Sequence, residues 1–193
     1  MEKKENQNVR EDIVEAAIVL SGIKGIKFTT DELAHELGTS KRTLYKYFSS
    51  KEDILHAIID KFLDRVKTKE DEIIANVTLS DLEKIKAILN IFVKDFRIVY
   101  INNFLEMKYY YPNEWKRIEL WLDSWNPPLD LIQKEIERGN IRKVNIVVLR
   151  HMVKGCLFSL VDKKFLYNNN LTIQDAYKSM IDIFLNGVLT ERG

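Results

Sequence analysis

The length, composition and charge of the chain narrow the classes of protein to which it can belong. It has 193 residues, 46% hydrophobic and 31% charged, which suffices for a packed core and argues against a disordered chain. Only 7 glycines and 3 prolines are present, which favours long helices over a turn-rich β fold. The net charge of +1 does not indicate a nucleic-acid partner, although the distribution of charge matters more than its sum.

The N-terminal region and the apolar runs predict a soluble, cytoplasmic protein. Residues 1–8 are largely polar and are not followed by the apolar stretch of a signal peptide. Apolar runs such as 146–149 are soon interrupted by charge, here Arg150, and are too short to span a bilayer. The one cysteine, Cys156, cannot form an internal disulfide, and we expect it to be buried as a small apolar residue.

Apolar spacing and capping residues predict about nine or ten helices and no strand. The first helix should end at Gly22, and serine or threonine caps should open further helices after residues 50, 80 and 172. Pro112 suits the first turn of another helix, and Pro127 with Pro128 must interrupt the chain. The last two helices are predicted at 145–166 and 172–189.

Residues 30–48 have the pattern of a helix-turn-helix. Thr30 is expected to cap a short helix, and Gly38 can adopt the positive φ of a tight turn. Ser40 should then cap a second helix, of which Leu44 and Phe48 face inward. In a helix-turn-helix, the second helix enters the major groove and its N-terminal residues meet the base edges.

The charge that the overall sum hides is concentrated on this second helix. Residues 39–51 contain four basic residues and no acidic one. A basic helix this short can also be a simple solvated surface, but the glycine turn, the two caps and the paired tyrosines favour DNA binding. The DNA-binding residues predicted from this pattern are Lys41, Arg42, Thr43, Tyr45, Lys46, Tyr47 and Lys51.

The sequence from Thr29 to Ala34, followed by that from Gly38 to Glu52, resembles the DNA-binding signature of the tetracycline-repressor (TetR) family of bacterial regulators. The resemblance implies an all-α fold with an N-terminal three-helix DNA-binding domain (1–50) and a larger helical regulatory and dimerisation domain (51–193). It adds Thr30 to the predicted DNA-binding residues and implies that Thr30, Thr43, Tyr45, Tyr47 and Lys51 contact DNA largely through phosphates, with Lys41 and Arg42 nearest the bases. Tyr45 and Tyr47 could alternatively pack against the neighbouring helix.

The resemblance also implies a homodimer in which the last two helices of each chain form a four-helix bundle. Apolar stripes on both helices agree with this arrangement, because each stripe would be buried against the partner. The candidate interface residues are Val153, Leu157, Leu160, Met180 and Phe184.

The stretch from 92 to 125 is rich in aromatic residues, and in the family this region surrounds an effector cavity. Aromatic walls suit an apolar or aromatic small molecule, although aromatic residues at helical spacing also commonly form a core. The candidate ligand-binding residues are Phe96, Tyr100, Phe104, Trp121 and Trp125.

No pattern typical of an enzyme, a metal site or a cofactor site is present. His35, His56 and His151 lack metal-ligand spacing, and no nucleophile–base motif or glycine-rich phosphate loop occurs. The working hypothesis is a homodimeric repressor that a small apolar or aromatic effector releases from operator DNA. The alternatives are a DNA-bound structural or cell-division factor without a ligand, an enzyme of unrecognised type, and an activator instead of a repressor.

Overall fold

The computed structural model describes residues 2–94 and 104–188, and the side chains of 7–91 and 105–187. Within these ranges the predicted all-α class is confirmed, and we find eleven helices instead of nine or ten. A 3-10 turn, Phe104–Glu106, precedes the sixth helix. The helices are α1 (Glu2–Lys24), α2 (Thr30–Glu36), α3 (Lys41–Tyr47), α4 (Lys51–Ala75), α5 (Asp81–Lys94), α6 (Met107–Tyr110), α7 (Pro112–Ser124), α8 (Pro127–Glu137), α9 (Ile146–Ser159), α10 (Lys163–Asn168) and α11 (Ile173–Val188).

Two predicted helix boundaries are wrong. The first helix continues past Gly22 to Lys24, and Gly25, with φ +77°, ends it in the left-handed conformation. The predicted helix 145–166 is two helices, because the side chain of Asp162 caps α10 by accepting hydrogen bonds from the amides of Lys164 (2.8 Å) and Phe165 (3.4 Å).

Other predicted boundaries are confirmed. Pro112 opens α7 and Pro127 opens α8. Ser80 and Glu83 form reciprocal hydrogen bonds of 2.8 and 3.3 Å before α5, as a capping box requires. Helix starts are therefore readable from local side-chain chemistry even where helix lengths are not.

The described chain forms two compact units. The first contains residues up to Asp64 together with 104–118, and the second contains 65–94 with 119–188. Helices α4 and α7 contribute residues to both units. The boundary of the compact units lies inside α4 and not at residue 50, so the functional division into 1–50 and 51–193 stays a prediction.

Each unit has its own apolar core. In the first unit α1, α2 and α3 pack together around fully buried side chains such as Ala17, Leu33 and Leu44. In the second unit α5 packs against α8 and α11, and the buried Tyr177 donates a hydrogen bond of 2.8 Å to the carbonyl of Leu157. Across the described helices, none combines the length and apolar character needed to cross a bilayer.

Candidate nucleic-acid interface and regulatory face

The start of α2 is fixed by a capping box around Thr29. Its side chain accepts a hydrogen bond of 3.2 Å from the amide of Glu32, and the Glu32 carboxylate accepts one of 2.7 Å from the amide of Thr29. Hydrogen bonding to Lys24 and to Thr29 lowers the pKa of Glu32 to about 2. The prediction that Thr30 caps this helix is therefore wrong. Glu32 lies three residues after Thr29 and completes the capping box with it, and Thr30 is buried.

The turn and the start of α3 have the predicted geometry. Gly38 adopts φ +60°, and the amide of Thr39 donates to the carbonyl of Ala34 at 2.9 Å. Ser40 caps α3 by accepting from the amide of Thr43 at 3.1 Å. This hydrogen-bonded turn fixes the position at which α3 begins after α2.

Helix α3 presents its polar residues outward and anchors itself with apolar ones. Leu44 and Phe48 are buried, as predicted. Lys41, Arg42, Tyr45 and Lys46 are exposed, and their spacing places them on one side of the helix. Thr43 and Tyr47 are half-buried. The first unit therefore exposes three cations and a tyrosine on a helix of seven residues.

Lys41 is paired with an acidic residue that the sequence analysis missed. Its Nζ atom lies 2.9 Å from Oδ2 of Asp31, which belongs to the first turn of α2. This hydrogen bond raises the pKa of Lys41. The turn at Gly38 brings the start of α3 close to the start of α2. A glycine turn between an aspartate on one helix and a lysine on the next is therefore the sequence signal that could have revealed the pair.

Arg10 on α1 is a second residue that the sequence analysis missed. Its guanidinium donates to the carbonyl of Tyr47 and lies 4.0 Å from the centroid of the Phe48 ring. Arg10 therefore ties α1 to the C-terminal end of α3.

Lys51 has internal partners. Its ammonium donates to the carbonyl of Ile26 and lies 4.5 Å from the Phe28 ring centroid and 5.6 Å from that of Tyr111. Burial lowers the pKa of Lys51. The resemblance implied a phosphate contact, but in the structure the Lys51 side chain stabilises the turn before α2.

In the second unit, α9 and α11 line an apolar groove of about 380 Å³. Of the predicted interface residues, Val153, Leu160, Met180 and Phe184 line this groove, whereas Leu157 is buried in the core. The other residues that line the groove include the exposed Met152 and Ile183, which the sequence analysis missed.

Cys156 also lines the groove and is exposed, so its predicted burial is wrong. Helix α9 has apolar residues on more than one side, as the exposed Val147, Val148 and Met152 show. Membership of an apolar helix therefore did not determine which way Cys156 faces.

Of the predicted ligand-binding residues, the structure brings Trp121 and Trp125 together, with stacked rings 6.1 Å apart. Trp125 is buried, and its indole N–H donates to the carboxylate of Glu70. Burial raises the pKa of Glu70 to about 7. Phe96 and Tyr100 lie outside the described residues, and of Phe104 only the backbone is described.

A small apolar cavity of about 20 Å³ adjoins this pair. It is lined by Trp125 together with residues of α5, α8, α9 and α11. A cavity of this volume holds about one water molecule, so a larger ligand would require neighbouring side chains to move.

The described residues form an all-α fold in which a helix-turn-helix exposes basic side chains. This combination is typical of DNA-binding transcriptional regulators. Residues 13–58 match the family of bacterial regulatory proteins of the tetR type. The chain is also 30% identical over 169 residues to an uncharacterized HTH-type transcriptional regulator, YvaF of Bacillus subtilis (strain 168). The aligned residues cover 87% of this chain and 89% of YvaF. The chain belongs to the TetR family.

Two solved structures have a similar fold. The fatty acid degradation regulator FadR of Bacillus halodurans aligns with a TM-score of 0.68 at 21% identity, over 92% of this chain and 95% of its own. The transcriptional regulator FadR of Bacillus subtilis, solved in complex with stearoyl-CoA, aligns with a TM-score of 0.62 at 18% identity, over 91% and 97%.

Proposed function

We propose that this TetR-family regulator is a homodimeric repressor, and that a small, largely apolar effector releases it from operator DNA. The observation that carries the proposal is the division of exposed side chains between the units. The first unit exposes cations on α3, and the second exposes apolar residues along α9 and α11. The first surface suits a polyanion, and the second suits a partner that excludes water.

The DNA contacts are assigned to the exposed face of α3. Lys41, Arg42 and Lys46 supply positive charge, and Tyr45 supplies a hydroxyl group for phosphate or base. Thr43 and Tyr47 are half-buried and suit phosphate contacts at the edge of this face. Thr30 and Lys51 are left out of the contact set, because Thr30 is buried and the Lys51 ammonium has internal partners.

The occupant of the α9–α11 groove is a second copy of this chain. Met152 is 61% and Ile183 is 72% exposed in the single chain, and exposed apolar side chains along two adjacent helices are typical of an interface. A two-fold axis at this face also provides the two recognition helices that palindromic half-sites, about 34–36 Å apart or a multiple of this, require.

The effector site is assigned to the region of Trp121 and Trp125 in the second unit. An apolar cavity lies there, and the buried carboxyl group of Glu70 offers a polar group beside it. The FadR of Bacillus subtilis holds stearoyl-CoA, and the apolar lining would suit a ligand with a long apolar chain once neighbouring side chains move to enlarge the cavity. Such a ligand releases DNA only if it binds the DNA-incompetent conformation more tightly.

The dimer is tested by placing a charge in the groove. Ile183→Glu should shift the chain from dimer to monomer in sedimentation velocity, because the carboxylate would be buried at the interface. Val77→Glu is the matched control, since Val77 is 93% exposed and lies outside the groove. A dimer that persists in Ile183→Glu, or dissociation in both variants, would contradict the proposed interface.

The thiol of Cys156, the one cysteine of the chain, gives a second readout. Its reaction with a maleimide should become slower as protein concentration rises and the groove is covered. A rate independent of concentration would argue against a second copy in the groove.

The effector is tested with stearoyl-CoA, free stearate and coenzyme A as separate probes. A ligand with an apolar chain should quench tryptophan fluorescence and dissociate a bound operator duplex, whereas coenzyme A alone should do neither. If no ligand with an apolar chain affects DNA binding, the alternative of a ligand-free structural factor is favoured.

A further inference from the structure

The pair formed by Asp31 and Lys41 places a negative charge on the face assigned to DNA. Asp31 lies in the first turn of α2 and Lys41 in the first turn of α3, and their charged atoms are 2.9 Å apart. Both side chains are accessible, with exposed fractions of 70% for Asp31 and 45% for Lys41. The carboxylate therefore lies where a DNA duplex would approach α3.

The exposed pair adds little to the stability of the fold. Surface ion pairs of this kind stabilise proteins by about 0–1 kcal/mol, because water screens both charges. Asp31 does not cap α2 either, since Thr29 and Glu32 form the capping box. An acidic residue in the first turn of α2 also interacts favourably with the helix dipole, by about 0.3–1 kcal/mol, so the fold favours Asp31 only weakly.

The pair has a larger consequence for DNA binding. Non-specific complexes depend on contacts between cations and phosphates. Each such contact steepens the plot of log binding constant against log salt concentration by about 0.9. A lysine held by a carboxylate must leave that partner before it can neutralise a phosphate. The remaining carboxylate would then face the polyanion without a cation.

We propose that Asp31 is a specificity-determining residue, which restrains the Lys41 ammonium and so weakens binding to duplexes that offer phosphates alone. At the operator, base contacts from the rest of α3 hold the complex while Lys41 stays with Asp31, so this cost is not incurred, whereas binding to a random sequence depends on Lys41 reaching a phosphate. The inference rests on the DNA contacts assigned to α3 under the proposed function, and it is independent of the dimer and of the effector.

The experiment compares Asp31→Asn with Glu36→Gln, a matched charge removal at an exposed residue of the last turn of α2. Both full-length variants are titrated against a random-sequence duplex and against an operator selected from a random pool, over a series of salt concentrations. Asp31→Asn should bind the random duplex about three- to tenfold more tightly than Glu36→Gln does, with a salt slope steeper by about one. The ratio of operator to random affinity should fall.

A double-mutant cycle shows whether the effect passes through Lys41. In a Lys41→Met background, Asp31→Asn should strengthen random-duplex binding less than it does in the unaltered chain and should leave the salt slope unchanged, because only the repulsion by the carboxylate is then relieved. Asp31→Ser should reproduce Asp31→Asn, and circular dichroism melts of all variants verify that the helices are intact.

Three results would overturn the inference. If Asp31→Asn and Glu36→Gln change random-duplex affinity equally, the effect of Asp31 is only that of its net charge. If Asp31→Asn binds the operator more weakly, Asp31 accepts a hydrogen bond from DNA directly. In both cases a loss of affinity in Lys41→Met would leave the assigned lysine contact standing. If Lys41→Met binds both duplexes as the unaltered protein does, the assigned contact fails and the inference fails with it.

Discussion

The α2–α3 segment and the α9–α11 groove both expose side chains at the surface, but their exposed residues differ in character and in what holds them in place. The first has two seven-residue helices with caps and a glycine turn between them, and it exposes mainly charge. The second has longer helices that leave apolar side chains such as Met152 and Ile183 exposed among polar ones. The difference shows that local hydrogen bonds, those of the caps and the glycine turn, hold the charged surface of α2 and α3 in place. The apolar surface of α9 and α11 depends instead on which of their apolar residues the core of the second unit leaves exposed.

The short helices of the first region require support from elsewhere. Isolated helices of this length are unstable in water, so α2 and α3 depend on their caps and on a buried anchor. Leu44 is the buried residue of α3, and it packs in the core beneath the exposed cations.

The largest expected effect comes from removing this anchor. Leu44→Ala should destabilise the first unit by about 2–5 kcal/mol and abolish DNA binding, because the cavity left behind cannot be filled. Urea unfolding followed by circular dichroism measures the change, and Tyr45→Ala at the exposed neighbour is the control. If Leu44→Ala unfolds at the same urea concentration as Tyr45→Ala, the anchor does not maintain the charged surface.

The next effect concerns the buried carboxyl group of the second unit. The pKa of Glu70 is raised to about 7 in the folded state, above about 4.3 for an unfolded glutamate, so the folded protein binds more protons between these values. Stability should therefore fall as pH rises from about 4 to 7. Glu70→Gln cannot ionise, and at pH 8 it should be more stable than the unaltered protein by roughly 1–3 kcal/mol.

Thermal unfolding at pH 5 and pH 8 measures this difference, with Glu72→Gln at an exposed position of α4 as the control. The gain should be present at pH 8 and small at pH 5. An equal effect of Glu70→Gln at both values would mean that the Glu70 carboxyl group does not titrate in this range.

A smaller effect is expected at the cap of α2. Thr29→Ala should cost about 1 kcal/mol of stability, since the Glu32 amide then loses its acceptor, the Thr29 hydroxyl, while the bond from the amide of residue 29 to the Glu32 carboxylate remains. Thr29→Ser, which retains the hydroxyl group, should restore most of this loss in the same urea titration. A neutral Thr29→Ala would mean that the caps contribute less to the first region than its core does.

The smallest expected effect separates Lys51 from the exposed lysines of α3. Lys46→Met should flatten the salt dependence of DNA binding by about one unit of slope, whereas Lys51→Met should leave the slope unchanged. The Lys51 ammonium is directed to the Ile26 carbonyl and to the Phe28 ring, so we expect it to keep these partners when DNA binds. An equal loss of slope in both variants would show that Lys51 leaves these partners on DNA.

The two regions also differ in how far the sequence predicted them. The positive φ of Gly38, the cap at Ser40 and the burial of Leu44 and Phe48 depend on neighbours within a few residues, so a local pattern was sufficient. The wrong prediction of Thr30 as the cap of α2 also concerns neighbouring residues, since Thr29 and Thr30 are adjacent and either could have been the cap.

The remaining errors involve contacts between residues that are distant in the sequence. An apolar stripe does not reveal that Leu157 faces the core while Cys156 is exposed, because this depends on where α5 and α11 pack. The partners of Lys51 and the pairing of Glu70 with Trp125 join residues 23–60 positions apart, and no spacing rule predicts them. The α2–α3 segment, with its caps and glycine turn, could be predicted from the sequence, and the packing of the second unit could not.

The most direct test of the central claim, that α3 presents its cations to DNA, is a duplex-binding titration of Arg42→Ala with Lys46→Ala in one chain. The control removes the same charge from two exposed lysines of α10, Lys163→Ala with Lys164→Ala. The α3 variant should lose operator binding at least a hundredfold and flatten the salt slope by about two, while the control binds as the unaltered protein does. Equal affinity of the two folded variants for operator DNA would contradict the claim.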